Sequence, residues 1–420
     1  MKAALIPLLA VILSRPLAAQ PLSVVNPTLD LRNRVADPVD IPTGIYLRSY
    51  IDIAIYDTVP ILFKRQYRNL DPVSRAFGIG TSHVYDWYLW SGRSDGSYVD
   101  LILEDGNRVH YIRKNPGTGY QDAVYVNTSS PTGFLNSEMR WDAGKWKLSL
   151  LDGTVYKFLP CGNRTRQKCR LVDYQDSSGG WLRLTRDADS NLLSIVNPRN
   201  RGITFRNDSV GRVTQARIIG ADQIIRYEYD AQGRLKHVAN TGLRVYSNRK
   251  IELAILFLEL IGWLPKRVPE SIDYEYDAAH NMTKMIDSTE FQMENKYDSS
   301  GRTIHQKLSD GRSWSMEYVV DKDGNILQAD VKNPDGTIER LTFDLNHNTL
   351  TETHPLGLRG EMKWTYERDA TTGQVVAIEV ECLSRNGTMQ RYHGTVGPDK
   401  SADILKRNYR ANCKQARETQ

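Results

Sequence analysis

Hydrophobic and polar residues alternate over short stretches of this chain, and the clearest stretch is Arg226-Tyr227-Glu228-Tyr229. Because the side chains of a strand alternate between its two faces, both tyrosines would lie on one face. Asp230 follows and can open a type I turn, and Gly233 stands where that turn needs a left-handed backbone. Arg234-Leu235 then begins a return strand. The stretch predicts a β-hairpin.

The same hairpin pattern recurs along the chain. Its first turn residue is Asp187, Asp208, Asp230, Asp277, Asp298, Asp321 or Asp344, with a looser copy at Asp369. Successive positions differ by 21, 22, 47, 21, 23, 23 and 25 residues. A nearly constant period of this length predicts a repeat architecture. The fourth turn residue is Gly in four copies, but Ser190, His280 and His347 replace it in others.

Residues 21–160 show the alternation without the repeated turn. Ile51-Asp52-Ile53-Ala54-Ile55 is typical of a strand, and Asp-Gly turns at 105–106 and 152–153 separate further strand-like runs. We therefore expect an all-β fold. In it, an N-terminal β domain (21–160) is followed by a spiral of β-hairpin repeats (161–400) that forms a long curved sheet or partial shell.

The 47-residue step is close to two periods, and an apolar segment at 251–264 stands where a copy is expected. The segment is too short to span a bilayer and includes Glu252 and Glu259. We interpret it as a short buried helix that plugs or buttresses the spiral. A degenerate strand pair, a scrambled reading frame and a helix on a membrane surface are the alternatives.

The N-terminus has the features of a secretory signal peptide. Met1-Lys2 precedes an apolar core at 3–13, and in Leu17-Ala18-Ala19 the two alanines are small residues suited to cleavage before Gln20, although Arg15 and Leu17 are unusual there. We predict residues 1–19 as the signal. The protein would then be exported, as a periplasmic, cell-surface or secreted protein that contacts a membrane only through this signal. An uncleaved anchor or a chance apolar start is the alternative.

Composition and charge change this picture little. The chain has 420 residues, of which 25% are charged and 40% hydrophobic, as in globular proteins. Its formal net charge is +5, and removal of Lys2 and Arg15 with the signal would leave +3. This charge is too small and too interspersed to predict a nucleic-acid partner.

Four cysteines are present, and an even number in an exported chain is compatible with disulfides. Cys161 and Cys169 flank a polar loop, so we predict a bridge between them. A second bridge, between Cys382 and Cys413, would hold the tail. Zinc binding is the alternative, but no Cys-x-x-Cys or paired histidine spacing supports it.

The sequence contains no assembled catalytic or metal-binding motif that we recognise. Its eight histidines lack a spacing such as H-E-x-x-H, and it has no nucleophile elbow, phosphate-binding loop or Rossmann glycine pattern. The repeated aspartates suit their turns, since an Asp side chain accepts a hydrogen bond from the backbone two residues on. We predict no metal, no cofactor and no catalytic residue, and we expect that the protein is not an enzyme.

The repeated tyrosines suggest a ligand. Sugars stack on aromatic rings while arginine and aspartate bond their hydroxyl groups, and Tyr227, Tyr229 and Arg234 have this chemistry. These three residues are our candidate glycan-binding site. The alternative is that the rings pack on neighbouring hairpins, because aromatic pairs across strands stabilise sheets.

Two sets of residues together resemble the Rhs (YD-repeat) family of bacterial proteins. The segments at 37–44, 64–67 (Lys-Arg-Gln-Tyr) and 77–86 are similar to the N-terminal domain that opens many of these proteins. The Tyr-Asp-x-x-Gly-Arg repeats resemble those that follow that domain. The resemblance implies a β-hairpin spiral that, in long members, wraps around a C-terminal effector. It also implies secretion, surface display, contact-dependent competition or carbohydrate binding.

The chain differs from the longer members of that family after its last repeat. Nothing there matches the closing motif or a toxin, and residues 401–420 form a basic, polar tail that we expect to be frayed or helical. We therefore favour a non-enzymatic, exported Rhs-type scaffold or partial shell for a protein partner, related to toxin carriers in interbacterial competition. A cell-surface carbohydrate-binding module is the alternative, and a hydrolase is a third hypothesis.

Overall fold

The structure is a computed structural model that describes residues 34–35, 38–93, 95–129, 132–160, 168–241, 270–355, 360–384, 389–397 and 402–418. The expected signal peptide (1–19), Cys161 and the apolar segment at 251–264 lie outside these residues. The expectation of an all-β protein is confirmed, since the described part contains 32 strands and a single helix.

The first strands form a five-stranded antiparallel sheet in the order β1-β2-β3-β4-β7, which we call the N-terminal sheet. The small pair β5-β6 lies between its last two strands in sequence. The strands are β1 (Arg34–Val35), β2 (Val39–Asp40), β3 (Ile45–Ile55), β4 (Ile61–Arg68), β5 (Ser74–Arg75), β6 (Gly78–Ile79) and β7 (Thr81–His83).

The next eight strands pair in sequence order and close on themselves, and we call them the ring. They are β8 (Tyr88–Trp90), β9 (Tyr98–Ile102), β10 (Arg108–Arg113), β11 (Val124–Val126), β12 (Glu138–Asp142), β13 (Lys145–Ser149), β14 (Val155–Phe158) and β15 (Cys169–Gln175). The closing contact is β15 with β8, through Cys169↔Leu89 and Arg170↔Tyr88. Pairing is therefore continuous across residue 160, where we placed a domain boundary.

From β15 onward each strand pairs antiparallel with the next, which gives one long sheet that we call the repeat sheet. Its further strands are β16 (Trp181–Arg186), β17 (Leu192–Val196), β18 (Gly202–Asn207), β19 (Val213–Ile218), β20 (Ile224–Tyr229), β21 (Leu235–Thr241), β22 (Ser271–Tyr276), β23 (Met282–Asp287), β24 (Gln292–Tyr297), β25 (Thr303–Leu308), β26 (Ser313–Val320), β27 (Ile326–Lys332), β28 (Ile338–Phe343), β29 (Thr349–Pro355), β30 (Gly360–Arg368), β31 (Val375–Ser384) and β32 (Met389–Thr395).

Alternation of side chains gives the repeat sheet one buried face. In β20, Ile225 and Tyr227 are buried, whereas Arg226 and Glu228 are exposed. The buried residues of successive strands join those of the N-terminal sheet and the ring in one hydrophobic core. This pattern is the one expected for hairpins with one face on a core.

The missing repeat leaves no gap in the sheet. β21 pairs directly with β22, with His237 opposite Asp273, although residues 242–269 separate the two strands in sequence. No strand therefore lies between them in the sheet. The interpretations of the apolar segment at 251–264, the buried helix and the degenerate strand pair among them, concern residues outside those described.

The N-terminal sheet and its connecting loops pack along the turn ends of four successive copies of the repeat. Each copy forms at least one hydrogen bond with this region: Val213 N–H to the Ala76 carbonyl (2.8 Å), Ile79 N–H to the Gly233 carbonyl (3.3 Å), Met282 N–H to the Tyr67 hydroxyl (2.9 Å) and Thr303 N–H to the Gly44 carbonyl (2.8 Å). Aromatic rings also pack between the two regions, and the ring centroids of Phe77 and Tyr227 are 4.6 Å apart. The N-terminal sheet thus covers part of the buried face of the repeat sheet.

The tail forms the helix α1 (Ala402–Glu418), which covers the last strands. Its buried Ala402 and Cys413 join a second hydrophobic core with Trp364 and Val380 of the sheet. A disulfide links Cys413 to Cys382, the second of the two bridges considered from the sequence. Cys169 is also disulfide-bonded, and its predicted partner lies outside the described residues.

Replacing Gly78 by alanine should lower the free energy of unfolding more than the same change at Gly311. Both glycines have a left-handed backbone, with φ of 83° and 86°, so alanine costs about 1–2 kcal/mol at either position. A Cβ on Gly78 would also lie 2.1 Å from the Gly233 carbonyl oxygen, whereas nothing lies within 4 Å at Gly311. We expect a loss of roughly 3–5 kcal/mol for Gly78→Ala in denaturant unfolding. Equal losses for the two variants would contradict this close packing.

Candidate functional site

The repeated turn is held by the aspartate that begins it. In one copy the Asp230 N–H donates to the Arg234 carbonyl (2.9 Å), and the Gly233 N–H donates to the Asp230 carbonyl (3.0 Å). Asp230 Oδ1 also accepts the N–H groups of Gln232 (3.0 Å) and Arg234 (2.9 Å). Gly233 has φ of 80°. The predicted hairpin turn and the turn role of its aspartate are confirmed.

The fifth turn residue is arginine or asparagine, and both types bond the second oxygen of the same aspartate. The arginines donate from Nε in Asp208–Arg212 (2.7 Å), Asp230–Arg234 (2.6 Å) and Asp298–Arg302 (2.7 Å). The asparagines donate from Nδ2 in Asp187–Asn191 (3.0 Å), Asp277–Asn281 (3.0 Å), Asp321–Asn325 (2.8 Å) and Asp344–Asn348 (3.0 Å). Each of these aspartates is therefore engaged within its own turn.

A tyrosine near the end of each of four strands ties neighbouring hairpins together. Its hydroxyl donates to a carbonyl of the preceding hairpin: Tyr229 to Val213 (2.5 Å), Tyr276 to Leu235 (2.8 Å), Tyr297 to Met282 (2.6 Å) and Tyr318 to Thr303 (2.7 Å). Where the preceding turn has arginine, its guanidinium lies over the ring, as Arg234 does over Tyr276 at 5.0 Å. Such cation–π contacts stabilise the packing of neighbouring hairpins in addition to the hydrogen bond.

The three candidate glycan-binding residues lie in two places. Tyr227 is buried, and its hydroxyl donates to Asp52 Oδ2 (2.9 Å). Tyr229 and Arg234 border a shallow depression of about 390 Å³ that Lys236 and Tyr276 also line. The structure therefore brings together only two of the three residues. The glycan-binding hypothesis stays a prediction.

A buried ion pair that the sequence analysis did not single out joins the N-terminal sheet to the repeat sheet. Arg65 donates from Nε and Nη2 to the two oxygens of Asp52 (2.9 and 3.1 Å), and from Nη1 to the Tyr274 hydroxyl (2.8 Å). Burial raises the pKa of Tyr227, which donates to the same carboxylate, well above its ordinary value. The available signal was a charged residue between two isoleucines, Ile51-Asp52-Ile53.

Ser82, His83 and Asp86 are the residue types of a Ser-His-Asp triad, and all three are buried. Their geometry differs from a triad, in which histidine lies between serine and aspartate. The Ser82 hydroxyl donates directly to Asp86 Oδ2 (2.7 Å), and His83 Nδ1 accepts the Tyr85 N–H (3.1 Å). Burial lowers the pKa of His83 to about 3. These contacts hold the end of β7 in place.

A second cluster of ionisable groups lies under helix α1. Glu352 accepts hydrogen bonds from Tyr366 (2.9 Å) and from Lys406 of the helix (3.2 Å to Oε2). Although burial opposes ionisation, the His354 hydrogen bond and the Lys406 charge lower the pKa of Glu352 to about 2. Likewise burial opposes the charge of His354, but hydrogen bonds to Glu339 and Glu352 raise its pKa to about 9. Neither pKa lies near 7, where acid–base catalysis is most efficient at neutral pH.

Among the residues that the structure describes, no group of three or more His, Cys, Asp or Glu side chains is arranged to hold a metal ion. No helix in the same residues is both long and apolar enough to cross a membrane.

Removing Arg65 should strongly destabilise the protein, because Asp52 would be left buried and unpaired. We expect Arg65→Met to lower the free energy of unfolding by about 3–5 kcal/mol, and Asp52→Leu/Arg65→Met together to recover part of this loss. The matched control is Arg312→Met, which removes an exposed ion pair with Asp310 and should cost at most about 0.5 kcal/mol. If the double variant were less stable than Arg65→Met, this account of the pair would be wrong.

In comparisons with known proteins, the N-terminal part of the chain matches a domain family, and most of the chain matches two longer proteins. The domain of unknown function DUF6531 matches residues 36–111. The probable deoxyribonuclease RhsB of Dickeya dadantii (strain 3937) is 25% identical over 342 residues, which cover 76% of this chain and 20% of RhsB. RhsA of the same strain is 25% identical over 300 residues, which cover 68% of this chain and 18% of RhsA.

The chain thus spans about a fifth of the length of these relatives. Among solved structures, the crystal structure of TcdB2-TccC3-Cdc42 matches 71% of this chain and 20% of that one, with 12% identity and a TM-score of 0.32. The order of DUF6531 followed by tyrosine–aspartate hairpins confirms the resemblance found in the sequence. In the order of its N-terminal domain and its hairpin repeats, the chain is similar to proteins of the Rhs (YD-repeat) type.

Proposed function

We propose that this chain is an exported, non-enzymatic Rhs-type scaffold whose repeat sheet holds a protein partner. The observation that carries the proposal is the tyrosine hydroxyl that bonds the preceding hairpin at four strands. The repeated tyrosine, aspartate and arginine side chains stabilise the sheet, as expected of a protein that serves as a scaffold. The Cys382–Cys413 disulfide supports export, because disulfides persist in oxidising compartments.

Exposed apolar side chains on two neighbouring hairpins provide a surface for the partner. Val319, Leu345 and Leu350 are 55%, 65% and 39% exposed, on β26 and on the hairpin of β28 and β29. In other copies the position of Leu345 holds a small or polar residue: Ser209, Ala231, Ala278, Ser299 or Lys322. The proposed partner would cover these apolar side chains.

Replacing these leucines by charged residues should abolish partner binding and leave the fold intact. We expect Leu345→Glu/Leu350→Glu to reduce recovery of a co-purifying protein at least about tenfold, because a charge in the centre of an apolar interface is desolvated unpaired. Recovery is measured by quantitative mass spectrometry of tagged protein from the periplasm and medium. The matched control is Val210→Glu, at a turn residue that is 72% exposed.

Circular dichroism and thermal unfolding must show that both variants are folded. Absence of any partner with the unchanged protein would count against the scaffold. Equal loss with the control variant would count against this surface.

The proposal includes the absence of a catalytic step. RhsA and RhsB are described as probable deoxyribonucleases, but this chain matches only 18% and 20% of their lengths, so that activity is not assigned to it. Incubation with DNA, peptidoglycan and polysaccharides should give no turnover. Turnover that one carboxylate substitution abolishes would contradict the proposal.

Glycan binding is the second candidate, favoured by the depression beside Tyr229 and Arg234. Tyr227 is unsuited to a test, because its replacement would disturb the core. Lys236 and Glu275 line the depression and are exposed, so Lys236→Ala/Glu275→Ala should abolish a glycan-array signal without unfolding. Lys332→Ala, an exposed lysine elsewhere on the sheet, is the control. A signal that persists in the double variant would exclude this site.

A further inference from the structure

Arg75, Lys168 and Arg170 lie close together where β15 closes the ring on β8, and Arg68 lies beside Arg75. We call Arg68, Arg75, Lys168 and Arg170 the seam cluster. Lys168 Nζ and Arg170 Cζ lie 4.8 and 5.2 Å from the centre of the Tyr88 ring. Arg75 and Arg170 both interact electrostatically with Lys168. Several positively charged side chains therefore surround the closing pair Arg170↔Tyr88.

The two arginines that precede the ring border one glycine. A Cβ on Gly106 would lie 3.0 Å from Arg75 Nη2, 3.1 Å from Asp71 Oδ2 and 3.4 Å from Arg68 Nη1. Arg68 Nη1 donates to the Asp105 carbonyl (2.7 Å), which fixes its guanidinium against the turn of β9 and β10. Gly106 thus allows both guanidinium groups to lie over this turn.

The nearby carboxylates leave donors of the seam cluster unused. Asp71 Oδ2 accepts only from Arg75 Nε (2.5 Å) in this cluster, and Asp86 accepts from Arg170. Among the described residues, the buried atoms Arg75 Nη1 and Arg68 Nε have no hydrogen-bond partner. The Arg75 side chain is only 4% exposed. A buried guanidinium donor without an acceptor is costly, which makes these atoms binding determinants for an anion.

Lys168 lies among both positive and negative charges that affect its pKa. Burial and the charges of Arg170 and Arg75 lower the pKa of Lys168, and Asp86 and Asp71 oppose this effect without cancelling it. An additional negative charge beside Lys168 would relieve the repulsion.

We propose that the seam cluster binds a tetrahedral oxyanion, a phosphate or sulfate group, through Arg68, Arg75 and Lys168. Guanidinium and ammonium groups are the side chains best suited to such oxygens. The anion accepts from Arg75 Nη1 and Arg68 Nε and pairs with the Lys168 ammonium. A free ion and a phosphate or sulfate substituent of a polysaccharide present the same oxygens, so either can supply the group.

The variant Lys168→Met tests this proposal, because its unfolding temperature should respond to phosphate in a way that a purely structural role of Lys168 would not produce. Without oxyanions the variant should unfold at a higher temperature than the unchanged protein, because it removes a half-buried charge that neighbouring arginines repel. In millimolar phosphate the order should reverse, because only the unchanged protein gains stability from binding. Calorimetry should show phosphate affinity at least about tenfold weaker for Lys168→Met and for Arg75→Gln.

The matched control is Lys147→Met, on β13 and outside the seam cluster, which should respond to phosphate as the unchanged protein does. All measurements use chloride to hold ionic strength constant, since salts also act generally on stability. Tighter binding of glucose 6-phosphate than of inorganic phosphate, with none of glucose, supports a substituent as the source, and the reverse supports a free ion. Equal stabilisation of all variants, or no heat of binding with phosphate or sulfate, would overturn the proposal.

Discussion

The rest of the repeat sheet depends on the hydrogen bonds made by the aspartate that begins each turn. Its Oδ1 atom holds two backbone N–H groups and its Oδ2 atom holds the fifth residue, so one side chain fixes both halves of the turn. The left-handed fourth residue then shifts the register by one, as between Glu228 and Tyr229. That shift directs each strand to its neighbour in the same way, and the long sheet is the sum of these identical steps.

Local chemistry made this part of the fold predictable. The spacing of the aspartates predicted the hairpins, and the glycines predicted which turn residues have a left-handed backbone. His280 and His347 adopt the same backbone conformation, with φ of 66° and 62°. Both signals are contained within five residues of one turn. A role of the tyrosines in packing between hairpins was also accessible, because a ring in a sheet contacts the adjacent strand.

Long-range contacts were not predictable in this way. Arg65 bonds Asp52 of the same sheet, but it also bonds Tyr274, 209 residues further along the chain. The closure of β15 on β8 likewise depends on chain segments 80 residues apart, as in Leu89 and Cys169. Nothing in the period of a repeat specifies which other part of the chain covers its buried face. For the same reason the seam cluster cannot be read from its scattered arginines and lysine.

The N-terminal region docks on the copy that begins at Asp277. The left-handed residue of this copy, His280, accepts the Tyr67 hydroxyl at its carbonyl (3.1 Å), and the same hydroxyl accepts the Met282 N–H (2.9 Å). Asn281 accepts the Asn69 side chain at Oδ1 (3.3 Å). An arginine there would project its longer side chain, and it would offer no acceptor to Asn69. Asparagine is the fifth turn residue of three other copies as well, so Asn281 is an ordinary turn residue of the repeat that also makes a docking contact.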